Sequence, residues 1–592
     1  MNAETRICQN CQQKFVIEPE DFGFYEKIKV PAPTFCPMCR SQRRMIWRNE
    51  RSLYKRKCSA PGHEEEVVSL YAPESPVVTY DVKYWWSDSW DPLQYGMDYD
   101  FQKPFFEQFG SLLKKVPLLA LVNINPVNSE YVNWSDGNKD CYLIFASGWN
   151  ENVRYSAKAM ESKDSQDLLV VGKSELCYEC VNCIESYKLR YSTNCKSCTD
   201  SYFLYGCRNC NNCFGCSNLV SKSYCIFNKQ YSKEEYEKKI SEMLTHSYVN
   251  LLRLKEKVYN EIYLKSIHKY ANIVASVACT GDNINNSKNC KECFDVSRDA
   301  EDCKFLYSTL ELKDTYDGIG PYKTTLCYET VDNNRDSNNL STITVYDSHD
   351  VRYSMNCQNC SNVFGSIGLR GKQYCILNKQ YSKENYEFLL EKIIQHMKNQ
   401  SYVDSKSRQH TYGDFFPMEI SPFGYNETIA QEEFPLTREE VNSSGYKWYE
   451  PSGKSHDISI ASKNLSDTIQ DVQESILESV VGCEHEWRCS EQCSTAFRII
   501  SQELEFYRKM NLPLPRLCPN CRHYQRLKQR NPLKLWHRKC QCASVASENQ
   551  IYKNTAEHAH KAAHCPNEFE TSYAPERPEI VYCEQCYQAE VA

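Results

Sequence analysis

Each end of the chain carries cysteines spaced to grip a metal ion. Cys8 and Cys11 flank two residues, as do Cys36 and Cys39; Cys518 and Cys521 repeat that spacing, and Cys489 and Cys493 flank three. Short hooks of this kind turn two sulfurs toward one point, so two hooks supply the four thiolates of a tetrahedral structural zinc site. A further cluster closes the chain, with Cys540-x-Cys542, His564-Cys565 and Cys583-x2-Cys586. It holds one sulfur more than four ligands require. Cys542, Cys565, Cys583 and Cys586 are the expected set, with Cys540 as an alternate. Three zinc ions are therefore expected.

The two ends are one module written twice. Residues 11–58 align without gaps to residues 493–540 at an offset of 482, pairing Phe24-Tyr25 with Phe506-Tyr507, Arg40 with Arg522, Arg44 with Arg526 and Arg48 with Arg530. The terminal cluster also has a counterpart near the start. There Asp81 and Tyr84 stand where Cys583 and Cys586 do, leaving Cys58 and His63 as the remnant of a site that is expected to have lost its metal.

Each module carries a basic run. Residues 40–57 hold eight Lys/Arg against one Glu, and residues 522–539 hold seven and no acid, with Trp47, Tyr54, Tyr524 and Trp536 interleaved. Arginine and lysine neutralise phosphates, and rings stack on unpaired bases. Arg40, Arg43, Arg44, Arg48, Arg522, Arg526, Arg530 and Arg538 are the expected nucleic-acid contacts, to RNA more than DNA. Two other uses stay open: docking onto the acidic remainder of the chain, or onto a separate protein.

A second duplication lies between the modules. Residues 176–225 align with residues 326–375 at an offset of 150. In the first copy every third residue from Cys177 is small or apolar, and 15-residue units begin at Cys183, Cys198 and Cys213. A period of three suits neither a strand nor a helix. It suits a narrow coil with short sides, similar in spacing to the thin β-solenoids of some insect antifreeze proteins. The expected fold is mainly β: a duplicated narrow β-solenoid of 15-residue units with capping helices after Ser232 and Ser382, flanked by zinc-ribbon modules at both termini. Of ten cysteines between 177 and 225, six are replaced in the second copy, by Thr330, Asn333, Val345, Ser348, Val363 and Ser366. Valine cannot ligate a metal, so these thiols are read as packing; an iron–sulfur or zinc cluster is the alternative.

Five segments follow: a ribbon module with a degenerate second site at 1–100, solenoid halves at 101–270 and 271–400, an aromatic and Pro-rich wrapping segment and linker at 401–463, and a helix with a double ribbon module at 464–592. Residues 464–481 read as an amphipathic helix, and residues 451–463 as a linker. The net charge of −7 over 592 residues leaves nucleic-acid binding to local patches. No signal-like segment opens the chain and no stretch approaches 18 apolar residues, so a cytoplasmic location away from membranes is expected. No Walker loop, HExxH or nucleophile elbow occurs, and no small-molecule substrate is evident. The expectation is a non-enzymatic multi-zinc scaffold that binds nucleic acid. A protein-interaction scaffold using the Tyr-rich solenoid surface is the second reading, and a metal or thiol-redox enzyme the third.

The stretch CQNCQQKFVIEPEDFGFYEKIKVPAPTFCPMCRSQRR resembles the zinc-ribbon family whose pattern is CxxCxxxF, then Phe-Tyr, then CxxCR. SPFGYNETIAQEEFPLT, ELEFYRKMNLPLPRLCPNCRH and FETSYAPERPEIVYCEQCY resemble phrases of bacterial multi-zinc-ribbon, Cys-repeat proteins. The resemblance implies Cys8, Cys11, Cys36, Cys39, Cys583 and Cys586 as ligands and brings no activity with it. Cys489 departs from the ribbon spacing, and Cys483 is its possible substitute.

Overall fold

The structure, a computed structural model, describes residues 2–450, 456–486 and 488–591. Residues 451–455 of the expected linker lie outside the described residues. The molecule is mainly β, with two large parallel sheets between a four-cysteine group at each end. In the nine-stranded sheet the strands neighbour one another in chain order, from Tyr142–Phe145 to Lys229–Gln230. The thirteen-stranded sheet runs from Ile273–Val274 to Lys379–Gln380. We call these the first and second stacks.

The parallel register shows how the period of three is used. Tyr178 pairs with Arg190, Val181 with Thr193, Ile184 with Lys196, and Tyr187 with Thr199. Three-residue segments of the first stack therefore meet those 12 residues on, so the stacking period is 12 rather than 15; the second stack keeps it from Lys304–Tyr316 onward, after pairs 11 and 13 residues apart at its start. Any multiple of three preserves the inward pattern, so resemblance between units 15 residues apart could not reveal which segments are neighbours.

Backbone conformation repeats with the same period. Leu176, Glu179, Asn182, Glu185, Lys188 and Tyr191 all have φ between 47° and 55°, in the left-handed region. Each such residue sits just before an inward-facing one. A side chain there costs about 1–2 kcal/mol, which explains the many Asn and Asp residues at these positions. Backbone bonds between neighbouring layers offset the strain: Glu185 N donates to Gly172 O at 2.9 Å, and Ile184 N to Cys195 O at 3.0 Å.

The inward thiols follow one rule. Cys198 Sγ lies 3.4 Å from both Lys196 O and Cys207 O, and Cys180 Sγ lies 3.6 and 3.3 Å from Tyr178 O and Leu189 O. Serine at equivalent places bonds likewise: Ser192 Oγ donates to Arg190 O and accepts from Leu204 N, both at 2.9 Å. A short side chain suits the position and an X–H donor adds a bond to a carbonyl, so Cys, Ser and Val exchange there. Burial pushes the Cys180 and Cys195 thiols well above the usual range and Cys327 up to about 12.

A helix follows each stack. Ser232 and Glu235 form the capping box of helix Lys233–Met243, and Ser382 caps helix Lys383–Asn399. Tyr236 packs on Tyr224 and Tyr386 on Tyr374, each with ring centroids 5.7 Å apart. The segment after the second helix is buried against the second stack, with Phe415 and Phe416 fully enclosed and Gly413 N donating to Tyr353 Oη at 2.6 Å. No described helix is long and apolar enough to cross a membrane.

Residues 464–481 are not the expected amphipathic helix. They form short 3-10 turns at Ser462–Asn464, Ile469–Asp471 and Glu474–Glu478. Leu465, Ile469, Val472 and Ile476 are buried as a helix would bury them. The carbonyls of Leu465, Ser466 and Val472, however, accept from Arg516 and Arg508 instead of closing helical turns.

Candidate metal centres

Each terminal module positions its second cysteine hook with a helix. Cys36 is the N-cap of helix Pro37–Met45 and Cys518 of helix Pro519–Leu527, each followed by Pro in the first turn. Cys39 and Cys521 then lie on the first turn of the helix, facing the opposite hook. Cys8, Cys11, Cys36 and Cys39 bring their sulfurs within 4.8 Å of one another, with Cys11 and Cys36 at 3.7 Å. That separation is close to the edge, about 3.8 Å, of a tetrahedron with metal–sulfur bonds of about 2.3 Å. It is far from a disulfide bond of about 2.05 Å.

In the C-terminal module the fourth place belongs to Cys483, not Cys489. Cys483, Cys493, Cys518 and Cys521 form the compact group, with Cys483 and Cys521 at 3.8 Å and Cys493 and Cys518 at 4.0 Å. A shared bond identifies the equivalence: Cys36 N donates to Cys8 Sγ at 3.2 Å, and Cys518 N donates to Cys483 Sγ at 3.2 Å. The first hook here has an insertion that carries Cys489 outward. Cys489 still reaches Cys521 at 3.8 Å, within a mixed group that includes His485 and Glu491.

The terminal cluster is built from Cys540, Cys565, Cys583 and Cys586. Cys540, the alternate, takes the place expected of Cys542. It accepts from Cys583 N at 3.2 Å, and Cys565 and Cys583 lie 3.8 Å apart. Cys583 is drawn down to about 4 by its hydrogen bond with Cys540. Cys542 instead groups with His558, His560 and the same Cys586. Neither histidine stood out in the sequence, and His564, which did, lies outside both groups. The corresponding place near the N-terminus keeps only part of this geometry. Asp81 N still donates to Cys58 Sγ at 3.2 Å, but the Asp81 carboxylate caps helix Val82–Trp86 and the Tyr84 ring lies against His63 at 5.5 Å.

Seven of the eight arginines read as phosphate contacts are buried. Arg40 and Arg44 both bind Asp317, at 3.0 and 2.9 Å, while Arg43 and Arg44 both bind Glu329 at 2.6 Å. All three are at most 1 % exposed. In the other module Arg522 and Arg526 share Asp167 at 2.6 Å each, and Arg530 binds Asp295 at 2.6 Å. Arg48 is paired with Glu50 at 2.6 Å and lies over the Trp134 ring. Arg538 is half-buried and donates to the carbonyls of Tyr573 and Ala574. A buried guanidinium already neutralised by carboxylates has no face left for a phosphate. Of the uses open to the basic runs, the geometry matches docking onto the chain's own acidic residues. Those carboxylates lie far off in sequence, 277 residues for Arg40–Asp317 and 359 for Arg526–Asp167, so the run itself could not reveal them.

No protein-family model matches the chain, and no curated protein matches it. The likeness to zinc ribbons stays one of motifs and ligand geometry.

Proposed function

We propose that the protein is a non-enzymatic, zinc-bound scaffold for a protein partner. In this reading each stack is a β-solenoid with four three-residue sides per turn, and the terminal zinc-ribbon modules clamp the two halves together. The carrying observation is the burial of Arg40, Arg43, Arg44, Arg522 and Arg526 against Asp317, Glu329 and Asp167. Most of the arginine charge of the modules is consumed inside the molecule, while Lys55, Lys57, Lys528, Lys534 and Lys539 stay exposed beside the outer faces of the stacks. Zinc suits the all-thiolate groups, and such closed sites hold a fold together without an open position for activating water.

The test is a pull-down with the full-length chain, with and without nuclease, beside filter binding to RNA across a salt series. Capture of a defined protein that survives nuclease supports the scaffold. RNA binding whose affinity falls steeply with salt overturns it and restores the nucleic-acid reading. Neutralising Arg43, Arg44, Arg526 and Arg530 is no route to a binding test here, because these substitutions remove buried ion pairs.

A further inference from the structure

We propose that the C-terminal lobe takes a second metal ion, bound by Cys542, His558, His560 and Cys586, with the Cys586 thiolate shared between it and the Cys540–Cys565–Cys583–Cys586 ion. The inference rests on the reading of the cysteine groups as zinc sites and adds a two-metal centre to it. The four ligand atoms lie within 4.8 Å of one another. His558 Nδ1 is 3.7 Å from Cys542 Sγ, and His560 Nε2 is 3.4 Å from Cys586 Sγ.

What distinguishes this group from two chance Cys–His contacts is that both tautomers are set from outside. His560 Nδ1 lies 2.6 Å from Ala563 O, which can only accept, so the proton sits on Nδ1 and the lone pair of Nε2 faces Cys586. His558 Nε2 lies 2.9 Å from the Glu590 carboxylate, so its proton sits on Nε2 and the lone pair of Nδ1 faces Cys542. The Glu590 carboxylate is itself held in place, accepting from Thr555 N and the Thr555 hydroxyl at 2.9 Å each and from Ala556 N at 3.1 Å. A carboxylate behind an imidazole is the arrangement that orients and strengthens a metal-ligating histidine. On the sulfur side, Asn554 Nδ2 donates to Cys542 Sγ at 3.2 Å, as Asn10 does to Cys39 and Asn567 to Cys583.

Two thiolates with two imidazoles form a zinc donor set. Charge favours the pair of ions as well, since two divalent ions offset four of the five negative charges that Cys540, Cys542, Cys565, Cys583 and Cys586 carry once their protons pass to solvent.

Native mass spectrometry of the full-length protein counts the ions. The double variant His558→Ala/His560→Ala should hold one zinc fewer than the parent while keeping those of the all-cysteine groups. Glu590→Gln should weaken the same ion by about 10–100-fold. An unchanged count in the double variant overturns the second ion and leaves the zinc reading standing; a parent with no zinc overturns both. Should the double variant fail to fold, cadmium-113 NMR of the parent decides. Two coupled resonances joined through Cys586 support the shared thiolate, and a single uncoupled resonance from this lobe overturns it.

Discussion

Asp167 and Asp317 occupy the same place in the two stacks, and each receives the same two arginines of a terminal module: Arg522 and Arg526 reach the first, Arg40 and Arg44 the second. The aromatic contacts repeat the relationship, with Phe24 and Tyr25 against Tyr328 and Phe506 and Tyr507 against Tyr178. The docking is crossed: the module at the start of the chain sits on the second stack, and the module at the end sits on the first.

Removing Asp167 takes the carboxylate from buried Arg526 and leaves Arg522 with Glu503 alone, at 3.5 Å. Asp167→Asn should cost on the order of 3–5 kcal/mol in chemical denaturation, with little dependence on salt because the site is dry. Replacing Asp167, Arg522 and Arg526 with apolar residues of similar volume, together with Glu503→Gln, should recover most of that loss. A loss below about 1 kcal/mol for Asp167→Asn would show that the interface is held by packing alone.

Single substitutions test which thiols of the C-terminal four-cysteine group would hold an ion. Cys483→Ser should lose one zinc ion and expose the module to proteolysis, whereas Cys489→Ser should keep the ion. Structural zinc contributes on the order of 10–16 kcal/mol in zinc-finger peptides. Native mass spectrometry with limited proteolysis reads both effects.

The stack thiols should tolerate isosteric change. Cys198→Ser keeps both carbonyl contacts and should cost less than about 1.5 kcal/mol, and Cys213→Val should be similar, as Val363 fills the equivalent place. Cys198→Leu overfills a site with no room and should cost about 1–3 kcal/mol. Thermal denaturation distinguishes the three.

Asp336 gives the fold a pH dependence. Burial pushes its carboxyl from the ordinary 3.8 up to about 8, against the opposing donation from Ser348 N at 2.8 Å. The folded chain therefore binds a proton that the unfolded chain has released, so this contribution is full below about pH 4 and is lost as pH rises toward 8. Asp336→Asn should flatten that limb and stabilise the protein at pH 8 by on the order of 2–4 kcal/mol. A stability profile from pH 4 to 8 that is identical in the two proteins would remove the assignment.

Much of this was legible in the residues. The two duplications, the hooks of the N-terminal ribbon, the capping box at Ser232 and Glu235 and the packing use of the stack thiols follow from local spacing. Other features were not. Cys483 lies outside the CxxC rhythm because an insertion lengthens its hook, and Cys540 and Cys542 are one residue apart, so only the chain path tells which of them faces Cys565. His558 and His560 carry no motif; their meaning comes from Glu590 and Ala563 beside them.

Which side chains must point inward and where thiolates converge could be read from the residues, because both are settled by periods of a few residues along one strand or hook. The 12-residue stacking, the crossed docking and the fate of the arginines depend on contacts between distant segments and came from the fold. A charge has no fixed role until folding selects its partner. For Arg44 and Arg526 that choice falls on carboxylates hundreds of residues away, where exclusion of water makes pairing obligatory.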